Sequence, residues 1–107
     1  MASKSNVLTI AEVGQAHDGS LGIAHSFIDA VSSTGIDIIK FQTHLADAES
    51  STSEPFRVKF SYEDKTRFDY WKRMEFTFEQ WKELKKHCDR SSIEFMSTPS
   101  SLSLIHI

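Results

Sequence analysis

The sequence predicts an α/β protein built on a parallel sheet. Short β-favouring apolar runs recur at residues 7–11, 36–41 and 93–97, and stretches of helical periodicity lie between them. The resulting order, strand, helix, strand, loop, helix, strand, is that of βαβ units with right-handed crossovers. A closed (β/α)8 barrel typically takes about 250 residues, and this chain has 107. From pattern alone the expected architecture is therefore an open, doubly wound domain.

The first run, residues 7–11, is apolar and ends at Glu12, Val13 and Gly14, as suits a buried parallel strand. Asp18, Gly19 and Ser20 then signal a turn, and either Asp18 or Ser20 can cap a helix. Leu21, Ala24, Phe27, Ile28 and Val31 follow at helical spacing, and Thr34 and Gly35 close that helix. The second strand is expected over residues 36–41.

Residues 44–62 are rich in Ser, Thr, Glu and Asp and contain Pro55, which reads as a long excursion after the second strand. Residues 63–76 are charged and aromatic and are expected to be partly helical. Thr77 and Gln80 have capping-box spacing. Phe78, Trp81, Leu84 or Lys85, and Cys88 then trace a helical stripe. The third strand is expected over residues 93–97, ended by Thr98 and Pro99.

Composition narrows the function. The net charge is −3 with mixed signs throughout, so no basic patch points to nucleic acid or an anionic membrane as partner. No apolar run approaches the roughly 18 residues of a membrane-spanning helix, and the polar start, residues 1–6, resembles no signal peptide. Residues 1–6 are expected to be disordered and the protein to be soluble and cytoplasmic. Cys88 is the one cysteine and cannot form an internal disulfide.

Ligands of α/β folds sit at the carboxyl ends of the strands. By the period-two rule Leu8, Ile10 and Glu12 share a face of the first strand, Ile38, Lys40 and Gln42 of the second, and Met96 and Thr98 of the third. A carboxylate, an ammonium, an amide and a hydroxyl thus converge. Lys40 is the most informative of them. A charge inside an apolar strand is costly unless paired or met by a charged ligand, and lysine is a common point-charge partner for phosphate. The alternative is a buried structural ion pair between Lys40 and Glu12. His17 and His44 follow the first two strands; either could touch substrate, although solvated loop histidines are commoner. His25 and His87 read as helix-surface residues, and no histidine pair has metal-ligand spacing. Trp71, Phe78 and Trp81 read as packing residues, and Cys88 as core rather than nucleophile.

These motifs, IAEVG at 10–14, HDGS at 17–20, KFQT at 40–43 and FMSTP at 95–99, occur in an order and spacing that resemble the start of the N-acetylneuraminate (sialic acid) synthase family. The stretch DYWKRMEF at 69–76 resembles one branch of it. The resemblance covers residues 7–101 and implies the first three strands of a (β/α)8 TIM barrel, unclosed in this chain. It also implies condensation of phosphoenolpyruvate with an N-acetylated sugar aldehyde of the N-acetylmannosamine type, giving a nine-carbon sialic acid and phosphate. A divalent manganese or magnesium ion would activate the aldehyde. Its histidine ligands would lie on later strands, so no metal ligand is expected in this chain. By motif, Lys40, Gln42 and Thr98 belong to the phosphoenolpyruvate site, Glu12 to the reacting centre, and His17, more weakly, to the substrate site. The resemblance further implies a homodimeric parent, completed by a C-terminal antifreeze-like domain whose arginine reaches the partner's site.

The chain departs from the family pattern at Ala16, where the family has asparagine, and at Ser100, where it has phenylalanine. Residues 102–107 match one reading frame of a transposase adapter and are expected to be adapter-derived, leaving an inactive N-terminal fragment. Two rival readings remain open. One is a standalone, non-catalytic α/β module that binds a phosphorylated metabolite or a protein partner. The other is a different phosphoenolpyruvate-dependent aldol synthase on the same barrel.

Overall fold

The computed structural model describes residues 7–49, 51 and 64–99. The expectations for residues 1–6, for 52–63 of the excursion and for 102–107 lie outside them. The described elements run β1 (Ile10–Gly14), α1 (Leu21–Ser32), β2 (Ile38–Thr43), α2 (Ala46–Glu49), α3 (Arg67–Met74), α4 (Phe78–Arg90) and β3 (Glu94–Pro99). The strands form a three-stranded parallel sheet in the order β1-β2-β3.

Each helix starts where a side chain can satisfy its free N–H groups. Ser20, not Asp18, caps α1 by accepting from the Ile23 N–H. Thr66 does the same for α3 through Asp69. Both halves of the expected capping box form at α4, Thr77 accepting from the Gln80 N–H and Gln80 from that of Thr77. The excursion after β2 also holds a short helix, α2.

The strands begin and end later than the apolar runs suggest. Val7 and Leu8 are exposed, because β1 pairs only from Ile10, opposite Ile38. Just before that point the Asp37 carboxylate accepts from both the N–H and the hydroxyl of Thr9, and the Asp37 N–H donates back to that hydroxyl. These side-chain bonds add to the backbone bond from the Ile38 N–H to the Thr9 carbonyl. At the other end β2 and β3 stay paired through Thr43 and Pro99.

The main core lies on one side of the sheet, although Ile38 on the other is buried too. Val13, Ile39 and Phe41 from the sheet join Ala24 and Ile28 of α1 and Trp81, Leu84 and Cys88 of α4 in one buried cluster, with Phe95 against it. Aromatic edges hold it together: Trp81 meets Phe41 at 5.8 Å and Phe76 at 5.1 Å between centroids, both edge-on. Burial pushes the Cys88 thiol up to about 11, so it acts as a core residue. Phe78 departs from its expected place on the stripe: it is exposed, with the Lys82 ammonium 5.5 Å from its ring centre. On the other sheet face Ile10 and Met96 remain exposed.

Candidate functional site

Register decides which strand-end side chains meet. Glu12 pairs with Lys40, Lys40 with Met96, and Gln42 with Thr98. The expected face is therefore real: Glu12, Lys40, Gln42 and Thr98 lie on one side of the sheet, opposite the helix-packed cluster. After Glu12 the register slips, and Gly14, at φ +59°, turns the chain out of the sheet.

Lys40 Nζ lies 3.5 Å from Glu12 Oε2, with the two side chains 30% and 46% exposed. A pair this wet contributes about 0–1 kcal/mol. The contact is the Lys40–Glu12 ion pair that the structural alternative expects, half exposed on a sheet face that the described residues leave uncovered.

A second group of side chains fixes Gln42. Gln15, from the loop after β1, donates its amide to Gln42 Oε1 at 3.0 Å and also meets His44 Nε2 in a short contact. His44 is buried and stacks on Trp71 at 4.1 Å between centroids. It is thus no solvated loop histidine, and Trp71 packs against the site rather than in the general core. On the helix-packed side of the sheet, the Thr43 and Ser97 hydroxyls bond to each other.

His17 does not join the Glu12–Lys40 face. It is 1% exposed, with its ring 4.6 Å from Phe76 and 6.3 Å from Phe41 between centroids, on the helix-packed side. Its Nδ1 accepts from the Gly19 N–H at 3.0 Å. Burial lowers its pKa, Asp18 opposes that and His44 adds to it, so the ring is neutral at pH 7. His17 anchors its own loop from below.

Arg73, which the sequence reading did not single out, clamps the same loop from above. Its guanidinium donates to the carbonyl and carboxylate of Asp18, at 3.0 and 2.8 Å, and to both oxygens of Asp64. Asp18 and Gly19 both take positive φ here. A Cβ on Gly19 would lie 2.3 Å from the Arg73 carbonyl oxygen, so only glycine lets the loop sit on α3. No local signal announced this clamp, because Asp18 and Arg73 are 55 residues apart. Gln15 stood beside a recognised motif and could have been found from its place at a strand end.

Among the described residues no group of three or more His, Cys, Asp or Glu side chains comes together to hold a metal ion. No helix among them is long and apolar enough to cross a membrane.

Comparison with known proteins agrees with the motifs. The NeuB family profile matches residues 27–107, most of the chain, and the chain belongs to that family. It is similar to the N,N'-diacetyllegionaminic acid synthase of Campylobacter jejuni, with 31% identity over 103 residues, covering 94% of this chain and 31% of that protein. It is also similar to human N-acetylneuraminate-9-phosphate synthase, with 29% identity over 92 residues, covering 83% of this chain and 25% of that protein. The sialic acid synthetase of Leptospira borgpetersenii superposes with a TM-score of 0.76 at 26% identity, over 95% of this chain and 32% of that one. The chain thus spans about a third or less of the length of these relatives.

Proposed function

We propose that the chain supplies the phosphoenolpyruvate half-site of a sugar-acid synthase. The parent enzyme joins phosphoenolpyruvate to an N-acetylated sugar aldehyde of the N-acetylmannosamine type and releases phosphate. The observation that carries this reading is the convergence of Lys40, Gln42, Thr98 and Glu12 on one sheet face at the strand ends, in a chain of the NeuB family. The sheet supports a partial (β/α)8 barrel. Its strands run in sequence order, with α1 and α4 on one face, whereas a doubly wound sheet reverses its order and carries helices on both faces. In a barrel the bare face is the lumen.

In this reading Lys40 leaves Glu12 and neutralises the anionic ligand, while Gln42 and Thr98 donate neutral hydrogen bonds to it. Glu12, released, accepts from a sugar hydroxyl or moves a proton at the reacting centre. The divalent ion implied for the parent supplies Lewis-acid activation of the aldehyde when bound. The described residues offer it no ligand set, and no role of these side chains depends on it. The chain covers 31% of the length of the Campylobacter jejuni relative, so the condensation is proposed for the intact protein and not for these 107 residues alone. The parent acts in the cytoplasm as a homodimer. The names of the relatives differ in the sugar acid made, diacetyllegionaminate or neuraminate 9-phosphate, and the same range of sugars belongs in the assay.

The test is phosphate release by the intact protein from phosphoenolpyruvate with N-acetylated hexosamines and Mn2+, with the product identified by mass. Lys40→Met is expected to lower kcat/KM by about two orders of magnitude, the size of a lost charge-assisted contact. Unchanged kinetics in that variant would remove Lys40 from the site. Phosphoenolpyruvate binding without turnover on any sugar would favour the non-catalytic module.

A further inference from the structure

We infer that Gln15 is a positioning residue that sets the donor polarity of Gln42. This rests on the assignment of Gln42 to the phosphoenolpyruvate site. A glutamine side chain presents one carbonyl and one NH2 group, and which end faces a ligand depends on what holds the other. Gln42 Oε1 already accepts from Gln15 Nε2 at 3.0 Å. The Gln42 NH2 is therefore the end left for the ligand, beside the Lys40 ammonium and opposite Thr98 in register. An anion rich in oxygen acceptors needs that polarity. The reverse rotamer would turn a carbonyl oxygen toward it.

Gln15 is itself fixed from the far side. Its NH2 has two hydrogens, one for Gln42 and one for His44 Nε2. That second bond requires His44 Nε2 to be an acceptor, and the buried ring is held flat against Trp71. The relay from Trp71 through His44 and Gln15 thus ends in a defined orientation of the Gln42 amide. Gln15 lies on the loop that Arg73 clamps through Asp18, so the DYWKRMEF stretch supports the same amide from two directions.

The experiment compares Gln15→Met and Gln15→Glu in the intact protein. Methionine keeps the length but donates nothing. A carboxylate accepts instead, and draws the Gln42 NH2 away from the ligand. KM for phosphoenolpyruvate is expected to rise about tenfold in Gln15→Met and further in Gln15→Glu, with little change in KM for the sugar. A purely structural role would lower stability in both variants without this order or this split between substrates. A second readout works without turnover. In protein labelled with 15N-glutamine, the Gln15 NH2 protons should be shifted downfield and slow to exchange, and Gln42→Met should release one of them. An unperturbed Gln15 amide in the parent, or equal kinetics in both Gln15 variants, overturns the inference. A perturbed Gln15 amide in a protein that does not bind phosphoenolpyruvate keeps the relay and overturns the ligand assignment instead.

Discussion

At the scale of single residues, Gly19 is the most constrained position in the loop below the site. Its φ of +75° favours glycine, and an added Cβ would meet the Arg73 carbonyl oxygen at 2.3 Å. Backbone cannot give way as a flexible side chain would. In the intact protein Gly19→Ala is therefore expected to destabilise by about 1–3 kcal/mol, read as a fall in the urea midpoint. It should also loosen the Asp18–Arg73 contact. Gly35→Ala is the control: it too has positive φ, at 82°, but nothing lies within 4 Å of its Cβ, so it carries the conformational cost alone. Equal losses in the two variants would mean that α3 does not press on the loop. Glycine's preference for positive φ could be read from sequence at a turn, but the carbonyl it rests against could not.

At the scale of elements, what was legible was what is local. The caps of α1 and α4 are each closed by a residue three positions from its partner; that of α4 was readable outright, that of α1 as one of two candidates, Asp18 and Ser20. The strand ends were not, because partner strands and the Thr9–Asp37 lock set them, across 28 residues. The same holds for the α1–α4 contact. His25 and His87 read as surface residues, yet their rings stack at 4.9 Å between centroids with Nδ1 atoms 2.6 Å apart, and His87 Nε2 lies 2.7 Å from Asp29 Oδ1. The line Asp29, His87, His25 has room for one proton between the two Nδ1 atoms, so protonating both rings there breaks the contact. Burial, then His87, then Arg90 lower the His25 pKa, against Asp29 and Glu83, which raise it; burial lowers that of His17 as well. With folded pKa values below the unfolded value of about 6.5, the unfolded chain binds more protons in that window. The stability these groups contribute is thus complete above about pH 6.5 and is lost as pH falls below it. In the intact protein, urea midpoints at pH 7.5 and 5.5 should differ more with His25 in place than in His25→Gln. An equal pH dependence in both would show that this pair does not couple to folding.

At the scale of the whole molecule, the face that carries the site was legible because side-chain parity along a strand survives a shift in the strand's ends. Glu12, Lys40, Gln42 and Thr98 keep their common side whether β1 starts at residue 7 or at residue 10. The relay and clamp beneath them, through Gln15, His44, Trp71 and Arg73, were not legible, since each joins segments distant in sequence. The same one-sided architecture governs the behaviour of the 107-residue chain expressed alone. Among the described residues β1 and β3 are both edge strands, and an unpaired edge is a template for pairing with another chain. Ile10 and Met96 are exposed on the face that α1 and α4 leave bare, and Val7 and Leu8 extend beyond the ladder. In the proposed barrel, further strands would cover that face and pair those edges. Without them the chain is expected to associate through its edges or to hold only a loosened core. Sedimentation velocity should then show polydisperse species, and thermal unfolding should lack a sharp transition. A monodisperse monomer that unfolds cooperatively would mean that the α1–α4 cluster around Phe41 and Trp81 stabilises this sheet by itself, with Lys40 and Glu12 on a solvated face rather than in a lumen.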